Sequence, residues 1–154
     1  ADLGQRIDLI LDGGPCQIGL ESTVVDARAD HAVLLRHGSV TASQIAEVWP
    51  GVKHAAGNPD APTAPGQLLR HYAPEARLEL NQTTAAINGQ LLGFGDIDGA
   101  LNLSRTGNLT EAAANLFAML RSLDKVSDRI AVAPIPDVGL GIAINDRLRR
   151  AAED

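Results

Sequence analysis

Aromatic residues, cysteines and long apolar runs are all scarce in this sequence. Phe, Trp and Tyr make up 3 % of the 154 residues, so the core must be aliphatic. The single Cys16 has no partner for an internal disulfide, which favours a reducing compartment, and we expect a cytoplasmic protein. No apolar run approaches the roughly 18 residues that cross a bilayer, and the first residues lack the basic and apolar regions of a signal peptide. We therefore expect no membrane partner.

The charge balance is acidic. Asp and Glu outnumber Lys and Arg by 19 to 13, which gives a formal net charge of −6 and a pI near 5.1. A protein that binds nucleic acid regardless of sequence needs a clustered cationic face that displaces phosphate counterions. We therefore expect no strong nucleic-acid binding. The apolar fraction of 45 % favours a folded chain over a disordered one.

The histidines and the cysteine do not form a metal-binding pattern. Their spacings fit no zinc motif, so we expect no metal site made by protein ligands. His31 and His54 stand among polar residues and are interpreted as surface side chains, and His37 is given no catalytic role. Cys16 follows a turn proline without a nearby cation, which favours a buried and inert thiol.

The first of three parts, residues 1–49, reads as a short run of strands. Apolar and β-branched residues predict strands over Ile7–Leu11, Leu20–Val25 and Ala32–Leu35. Thr41, with Gln44 three residues later, predicts a capping box and a short helix that carries Ile45, Val48 and Trp49 on one face. These elements are too few for a core of their own. They either end a larger sheet or lean on the rest of the chain.

The last part, residues 78–154, indicates strands and helices in alternation. Strands are predicted over Leu91–Gly95, Ala100–Leu103 and Ile130–Ile135. Asn108 and Glu111 predict the start of a helix whose inward face carries Leu109, Ala113, Leu116, Phe117, Leu120 and Leu123. The order favours an α/β fold with a small parallel sheet, and this part should be the ordered core.

A final helix follows the turn Gly139-Leu140-Gly141, with Ile144, Leu148 and Ala151 facing inward. The glycine turn favours tight packing over a phosphate cradle, because a third glycine and a later acidic residue are missing. Its last turns carry Arg147, Arg149 and Arg150, interpreted as a solvated cap that opposes the helix dipole.

Between these parts lies a proline-rich arm, residues 50–77. Five of the eight prolines fall within it, so no regular helix or central strand is expected there. The arm nevertheless carries Arg70, His71 and the only tyrosine, Tyr72, side by side. A cation, an imidazole and a phenol on a stiffened segment suggest an arm that lies across a surface and contacts a ligand.

Three motifs in a fixed order carry a resemblance to a known family. They are Gly19-Leu20-Glu21-Ser22-Thr23-Val24-Val25-Asp26, then Leu35-Arg36-His37-Gly38, then Pro65-Gly66 followed by Arg70-His71-Tyr72-Ala73-Pro74. Together they resemble the carboxy-terminal part of two-domain L-threonylcarbamoyladenylate synthases of the YrdC/Sua type. Asn102-Leu103-Ser104 and the run from Gly139 to Leu148 resemble parts of that family's second domain.

The resemblance implies a domain plan and a reaction. Residues 1–49 would be the last strands of a YrdC-like α/β catalytic domain, residues 50–77 an interdomain linker, and residues 78–154 a Rossmann-like domain. In the reaction, L-threonine captures bicarbonate as a carbamate, which attacks the α-phosphate of ATP and expels pyrophosphate. ATP would enter as its Mg²⁺ complex. The product, threonylcarbamoyl-AMP, serves an adenosine modification of tRNA, so proteins of that modification are expected as indirect partners.

The resemblance also implies site residues. Ser22 and Thr23 would bind threonine, while nucleotide binding would fall to Arg36, Arg70, His71 and Tyr72, with Pro65 and Gly66 shaping the linker clamp. From the residues alone, other interpretations stay open. A strand hydroxyl can simply face solvent, an arginine before a turn can be a solvated charge, and a histidine–tyrosine pair can pin a linker onto a sheet.

The departures from the family are as informative as the match. The lysine- and arginine-bearing motif and the serine–asparagine turn that complete the family's site are missing from this chain. We therefore expect a fragment of the synthase: the parent catalyses, this chain alone does not, residues 1–49 are less stable, and the clamp is open and mobile. The alternative is a non-catalytic ligand-sensing or partner-docking α/β module.

Overall fold

The structure is a computed structural model that describes residues 6–14, 16–55, 73–85 and 87–153. Within these ranges the chain forms a three-stranded sheet, followed by a four-stranded parallel sheet on which two long helices pack. The predicted α/β fold with a Rossmann-like parallel sheet is confirmed. No helix in the described part of the chain combines the length and the apolar character needed to cross a membrane.

The first sheet places β2 between two edge strands. β1 (Val24–Asp26) pairs antiparallel with β2 (Val33–Arg36), and β2 pairs parallel with β3 (Lys53–His54). The strands predicted at these places are therefore real but shifted toward their carboxyl ends. β3 was not predicted; it lies at the edge of the sheet, the position that a strand beside a proline-rich segment can occupy.

The strand predicted over Ile7–Leu11 is wrong. These residues form no strand, and their apolar side chains are exposed, Leu9 by 75 % and Leu11 by 87 %. An apolar run becomes a strand only where neighbours supply hydrogen bonds and cover its side chains. No strand of the described sheets pairs with this run.

Helix α1 (Ala42–Val48) follows the first sheet and begins as predicted. Thr41 Oγ1 accepts a hydrogen bond from the Gln44 amide at 3.3 Å, and the Gln44 side chain accepts one from the Thr41 amide at 2.9 Å. The capping box is therefore confirmed. None of the helix residues is buried, so the cap carries much of the stability of this helix.

The second sheet contains β4 (Arg77–Glu79), β5 (Gln90–Gly93), β6 (Leu101–Asn102) and β7 (Arg129–Val132). Its strand order is β4-β7-β5-β6, and all pairs are parallel. β5 and β6 fall where strands are predicted over Leu91–Gly95 and Ala100–Leu103, and the loop 94–100 joins them without a helix. Asn102 stabilises this short crossover, because its Nδ2 donates to the carbonyls of Gly95 at 3.2 Å and Ile97 at 3.1 Å.

Two helices cover the second sheet and contact each other. Helix α2 (Leu109–Asp124) is capped by Asn108, whose side chain accepts from the amides of Thr110 at 2.8 Å and Glu111 at 3.0 Å. Helix α3 (Leu140–Ala151) follows β7. The fully buried aliphatic side chains are Leu92, Leu103, Leu116, Ile130, Val132 and Ile144.

The first part of the chain leans on the second. Leu20 is 8 % exposed and belongs to the same core cluster as the helices and strands of the parallel sheet. Burial of a leucine side chain contributes about 1.5–3 kcal/mol. Gly19 lies against the carbonyls of Ala113 and Ala114, so this contact holds the segment before β1 against α2.

Candidate functional site

The predicted site residues Ser22 and Arg36 lie together at the start of β1 and the end of β2. Arg36 Nε donates to the Ser22 carbonyl at 3.0 Å, and Arg36 Nη2 donates to Ser22 Oγ at 3.2 Å. The Ser22 residue is exposed, while Arg36 is half-buried. The antiparallel pairing of β1 with β2 brings these residues, 14 positions apart, into contact. The result is a permanent positive charge beside an accessible hydroxyl.

Thr23 is committed to the backbone. Its Oγ1 donates to the Val40 carbonyl at 2.6 Å and accepts from the Val40 amide at 3.0 Å. The hydroxyl therefore has no proton left for a ligand and can only accept a further hydrogen bond. Its observed contact fixes the loop that follows β2.

Gly38 allows that loop to approach closely. It is buried, and a Cβ at this position would collide with the backbone of Glu21, Ser22 and Thr23. Only glycine fits without a shift of the strand. This packing places the chain after β2 directly against the segment that carries Ser22.

Arg147 of α3 binds this same segment from the second sheet's side. Nε donates to Glu21 Oε2 at 2.7 Å, Nη1 to Asp146 Oδ2 at 2.6 Å, and Nη2 to the His37 carbonyl at 2.9 Å. The side chain is 8 % exposed. The interpretation of Arg147 as a solvated helix cap is wrong, because three acceptors compensate the buried charge.

Sequence spacing contained a signal for the burial of Arg147. Position 147 lies three residues after Ile144 and four before Ala151, so it shares the inward face assigned to those residues. The sequence predicts a solvated cap because cations in the last turns of a helix oppose its dipole, and arginine is rarely fully buried unless it is paired. The partner Glu21 is 126 positions away, and no local pattern shows that pairing.

Electrostatics keep Glu21 ionised. Burial raises the pKa of this carboxyl, but the hydrogen bond from Arg147, the hydrogen bond from the Glu21 backbone and the charges of Arg147 and Arg36 together outweigh burial and leave the pKa below its ordinary value of 4.5. Both arginines thus act on a carboxylate next to Ser22.

Two histidines stack beside this contact. The rings of His37 and His54 have centroids 5.2 Å apart and planes inclined by 26°. Burial lowers the pKa of His37 from its ordinary value of 6.5; Asp146 opposes that change, while His54, Arg147 and Arg149 add to it. His54 is exposed as expected, but it lies on β3 rather than in a loop.

Two further expectations concern reactive groups. Cys16 is exposed, so the prediction of a buried thiol is wrong. Among the side chains that the structure describes, no group of three or more His, Cys, Asp or Glu residues is arranged to hold a metal ion.

The glycine turn before α3 packs as the sequence predicts. A Cβ on Gly141 would collide with the Pro136 carbonyl, so the helix start lies tightly against the preceding loop. Gly139 has a φ of +52°, which favours glycine. Close packing explains Gly141 and the positive φ explains Gly139, so neither glycine requires a phosphate.

A cavity of about 230 Å³ lies at the carboxyl edge of the second sheet. Parallel sheets commonly bind ligands at that edge. The lining residues are Leu80, Asn81, Val132, Ala133, Ile135, Asp137, Asn145, Leu148 and Arg149. It is separate from the Ser22–Arg36 pair in its lining.

The predicted linker clamp cannot be placed. Pro65, Gly66, Arg70, His71 and Tyr72 lie outside the described residues, and so does the expectation that the clamp is open and mobile.

Comparisons with known proteins match both parts of the chain. The family model described as threonylcarbamoyl-AMP synthase, C-terminal domain, matches residues 40–153, and one described as telomere recombination matches residues 1–38. Over 98 % of this chain, the threonylcarbamoyl-AMP synthases of Bacillus subtilis and Pyrococcus abyssi are 34 % and 32 % identical. The chain spans 50 % and 51 % of their lengths, about half in each case.

Solved structures give the same picture. The crystal structure of P. abyssi Sua5 complexed with L-threonine has a TM-score of 0.81 and 29 % identity, covering 96 % of this chain and 50 % of that one. A variant of P. abyssi Sua5, with a histidine and the adjacent tyrosine replaced by alanine, has a TM-score of 0.77 and 28 % identity. It covers 92 % of this chain and 47 % of that chain.

Proposed function

This chain belongs to the threonylcarbamoyl-AMP synthase family, and on that premise we propose that it is the carboxy-terminal half of such a synthase. The complete enzyme would join L-threonine, bicarbonate and ATP into threonylcarbamoyl-AMP and pyrophosphate, in the cytoplasm, for the modification of tRNA. Residues 1–49 would complete its catalytic domain, residues 50–77 would link the domains, and residues 78–154 would form the second domain.

The observation that carries this proposal is the contact of Arg36 with Ser22. In the proposed site the exposed Ser22 hydroxyl donates to the threonine carboxylate, and the Arg36 charge attracts the nucleotide phosphates. Thr23 adds an acceptor for the substrate hydroxyl, since its proton is bound to the Val40 carbonyl. These roles orient substrates and lower the cost of bringing anions together.

The linker supplies the second half of the proposed site. Arg70, His71 and Tyr72 would close over the adenylate, with Pro65 and Gly66 setting the path of the chain. His71-Tyr72 is the only histidine–tyrosine pair in this sequence. A histidine–tyrosine pair is also what was replaced in the similar variant structure. A closed arm would exclude water from the labile carbamate.

Catalysis by this chain alone is not expected. A triphosphate needs several cations to neutralise the charge that develops on the leaving pyrophosphate. The Ser22–Arg36 pair holds one arginine, and the family's lysine- and arginine-bearing motif is missing from the sequence. ATP would bring Mg²⁺ with it as part of the substrate.

A second candidate function is a ligand sensor. The cavity of about 230 Å³ at the carboxyl edge of the parallel sheet favours it, because such edges are frequent ligand sites in α/β folds. In that case ligand would contact Asn81, Asp137 or Arg149 and leave Ser22 and Arg36 unaffected.

Substitutions in the natural full-length protein, meaning this chain with any residues that precede Ala1, test the proposed site. Ser22→Ala should raise the KM for threonine roughly tenfold, since one hydrogen bond to a charged group is lost. Arg36→Gln should raise the KM for ATP by at least as much. Pyrophosphate release measures both.

Matched controls remove the same groups elsewhere. Arg28→Gln loses an exposed arginine of the same segment that pairs with Asp26, and Ser122→Ala loses an exposed hydroxyl of α2. Both should leave the KM values unchanged. Unchanged KM values for Ser22→Ala and Arg36→Gln would overturn the site, and amide shifts with AMP confined to residues 77–153 would favour the sensor.

A further inference from the structure

The guanidinium of Arg147 connects α3 with the segment before β1, which carries Ser22, and with the residue after β2, which ends at Arg36. Glu21, which accepts from Nε, directly precedes Ser22. His37, whose carbonyl accepts from Nη2, directly follows Arg36. One planar group therefore fixes the chain immediately beside each member of the pair.

The other side of Arg147 is fixed by its own helix. Asp146 Oδ2 accepts from Arg147 Nη1 at 2.6 Å and from Arg150 Nε at 3.1 Å. Arg150 Nη2 also donates to Asp146 Oδ1 at 3.2 Å. The helix therefore presents Arg147 in one orientation, and rotation of its fork would break three bonds at once.

The neighbourhood leaves little room for adjustment. Gly38 packs against the backbone of residues 21–23, and Thr23 bonds the Val40 backbone from the opposite side. A displacement of Glu21 or of the His37 carbonyl would pass directly to Ser22 and Arg36, because these residues are adjacent in the chain.

We infer that Arg147 is a positioning residue for substrate binding: from the second domain it holds Glu21 and the His37 carbonyl, and through them sets the geometry of Ser22 and Arg36. This inference rests on the proposed function, since it assumes that the pair binds substrate. It gives the second domain a part in the site without any contact with substrate.

A purely structural ion pair would behave differently. Loss of a buried pair partner lowers stability whatever the site does. In protein that is still folded at the assay temperature, the loss of a purely structural pair would not raise the KM for threonine more than it lowers kcat. It would also not change the hydrogen bond of Arg36 to Ser22.

The test compares Arg147→Gln, Arg147→Lys and Arg129→Gln in the natural full-length protein. Glutamine has a similar reach but cannot bind three acceptors, so the KM for threonine should rise roughly tenfold with a smaller fall in kcat. Lysine keeps the charge without the planar fork and should give an intermediate KM. Arg129→Gln removes an arginine that pairs with Glu79 in the second sheet, and its KM should be unchanged.

Nuclear magnetic resonance of the 154-residue chain gives a readout that does not depend on activity. The Arg36 Nε–H proton should exchange with water several-fold faster in Arg147→Gln, because its bond to the Ser22 carbonyl loosens. In Arg129→Gln the rate should stay as in the unsubstituted chain. Unchanged exchange in Arg147→Gln would overturn the inference.

The outcomes separate this inference from the proposed function. If Ser22→Ala raises the KM for threonine and Arg147→Gln does not, the inference fails and the proposed site stands. If neither substitution changes the KM, both fail. If Arg147→Gln does not fold, Glu21→Gln decides: it keeps the shape of residue 21 and should raise the KM a few-fold, and an unchanged KM would overturn the inference.

Discussion

His37 lies at the contact between the first sheet and α3, where its carbonyl accepts a hydrogen bond from Arg147. Its ring stacks on His54, and it interacts with the charges of Asp146, Arg147 and Arg149. Burial is the largest of the effects that lower the pKa of His37 below 6.5. The folded chain therefore binds a proton at His37 less readily than the unfolded chain does.

This difference predicts a loss of stability in mild acid. Because the unfolded state takes up the proton first, the free energy of unfolding should fall as the pH drops below about 6.5. Urea unfolding between about pH 8 and about pH 5 measures the slope. His37→Asn should flatten it in that range, whereas His31→Asn, which removes another imidazole of the first part, should not. An equal slope in the His37→Asn variant would contradict this account.

The stability change caused by Glu21 occurs at a lower pH than the change caused by His37, so the two can be told apart. The pKa of Glu21 lies below 4.5, so its share of the stability is present above that value and is lost as the pH falls further. The pH ranges in which His37 and Glu21 lower the free energy of unfolding therefore differ. On acidification, the loss of stability caused by His37 comes first.

At the residue scale, sequence reasoning reached local contacts but missed distant ones. The family resemblance implies threonine binding for Ser22 and nucleotide binding for Arg36, and the contact between them emerges only from the structure. The position of Arg147 near the end of its helix predicts a solvated cap, and its partners Glu21 and His37 lie more than a hundred positions away. A charged residue on an inward helix face signals a buried pair, but the partner emerges only from the fold.

At the scale of elements, α1 and α2 differ in what keeps them helical. Both have side-chain caps, from Thr41 and Asn108. Only α2 buries a face, with Ala112, Ala113, Leu116, Leu120 and Leu123 in the core. A short helix without buried residues depends on its cap, since isolated helices of that length are marginal in water.

This contrast predicts unequal responses to the loss of a cap. Thr41→Ala and Asn108→Ala should each cost about 1 kcal/mol locally. Hydrogen exchange of the α1 amides should speed up about fivefold in Thr41→Ala, because that energy is much of what holds α1. The amides in the middle of α2 should change little in Asn108→Ala, since packing holds them. Unchanged exchange of the α1 amides in Thr41→Ala would show that tertiary contacts, not the cap, hold α1, and a fivefold acceleration in the middle of α2 would show that packing does not hold α2.

Physical reasons also explain which helices and strands the sequence predicts correctly and which it does not. Helix starts were correct because caps and periodicity are local signals, as at Asn108. The strand over Ile7–Leu11 was wrong because a strand needs a partner that the local pattern does not reveal. The role of Asn102 in the loop between β5 and β6 was not predicted, because its hydrogen bonds to the carbonyls of Gly95 and Ile97 depend on how that loop folds.

At the scale of the whole molecule, the described residues of the two sheets meet at a hydrophobic cluster and at an ionic contact. Leu20 joins the hydrophobic cluster of the second sheet, and Arg147 joins Glu21. The chain spans about half the length of the similar synthases. This arrangement fits a carboxy-terminal half in which the second domain supports the last strands of a catalytic domain.

The central claim is that this chain carries part of a synthase site whose remaining cations belong to preceding residues. Pyrophosphate release from ATP, with L-threonine and bicarbonate present, tests that claim most directly, on the 154-residue chain and on the natural full-length protein. We predict no release above the blank for the chain alone and threonine-dependent release for the full-length protein. Threonine-dependent turnover by the chain alone, or its absence in the full-length protein, would contradict the claim.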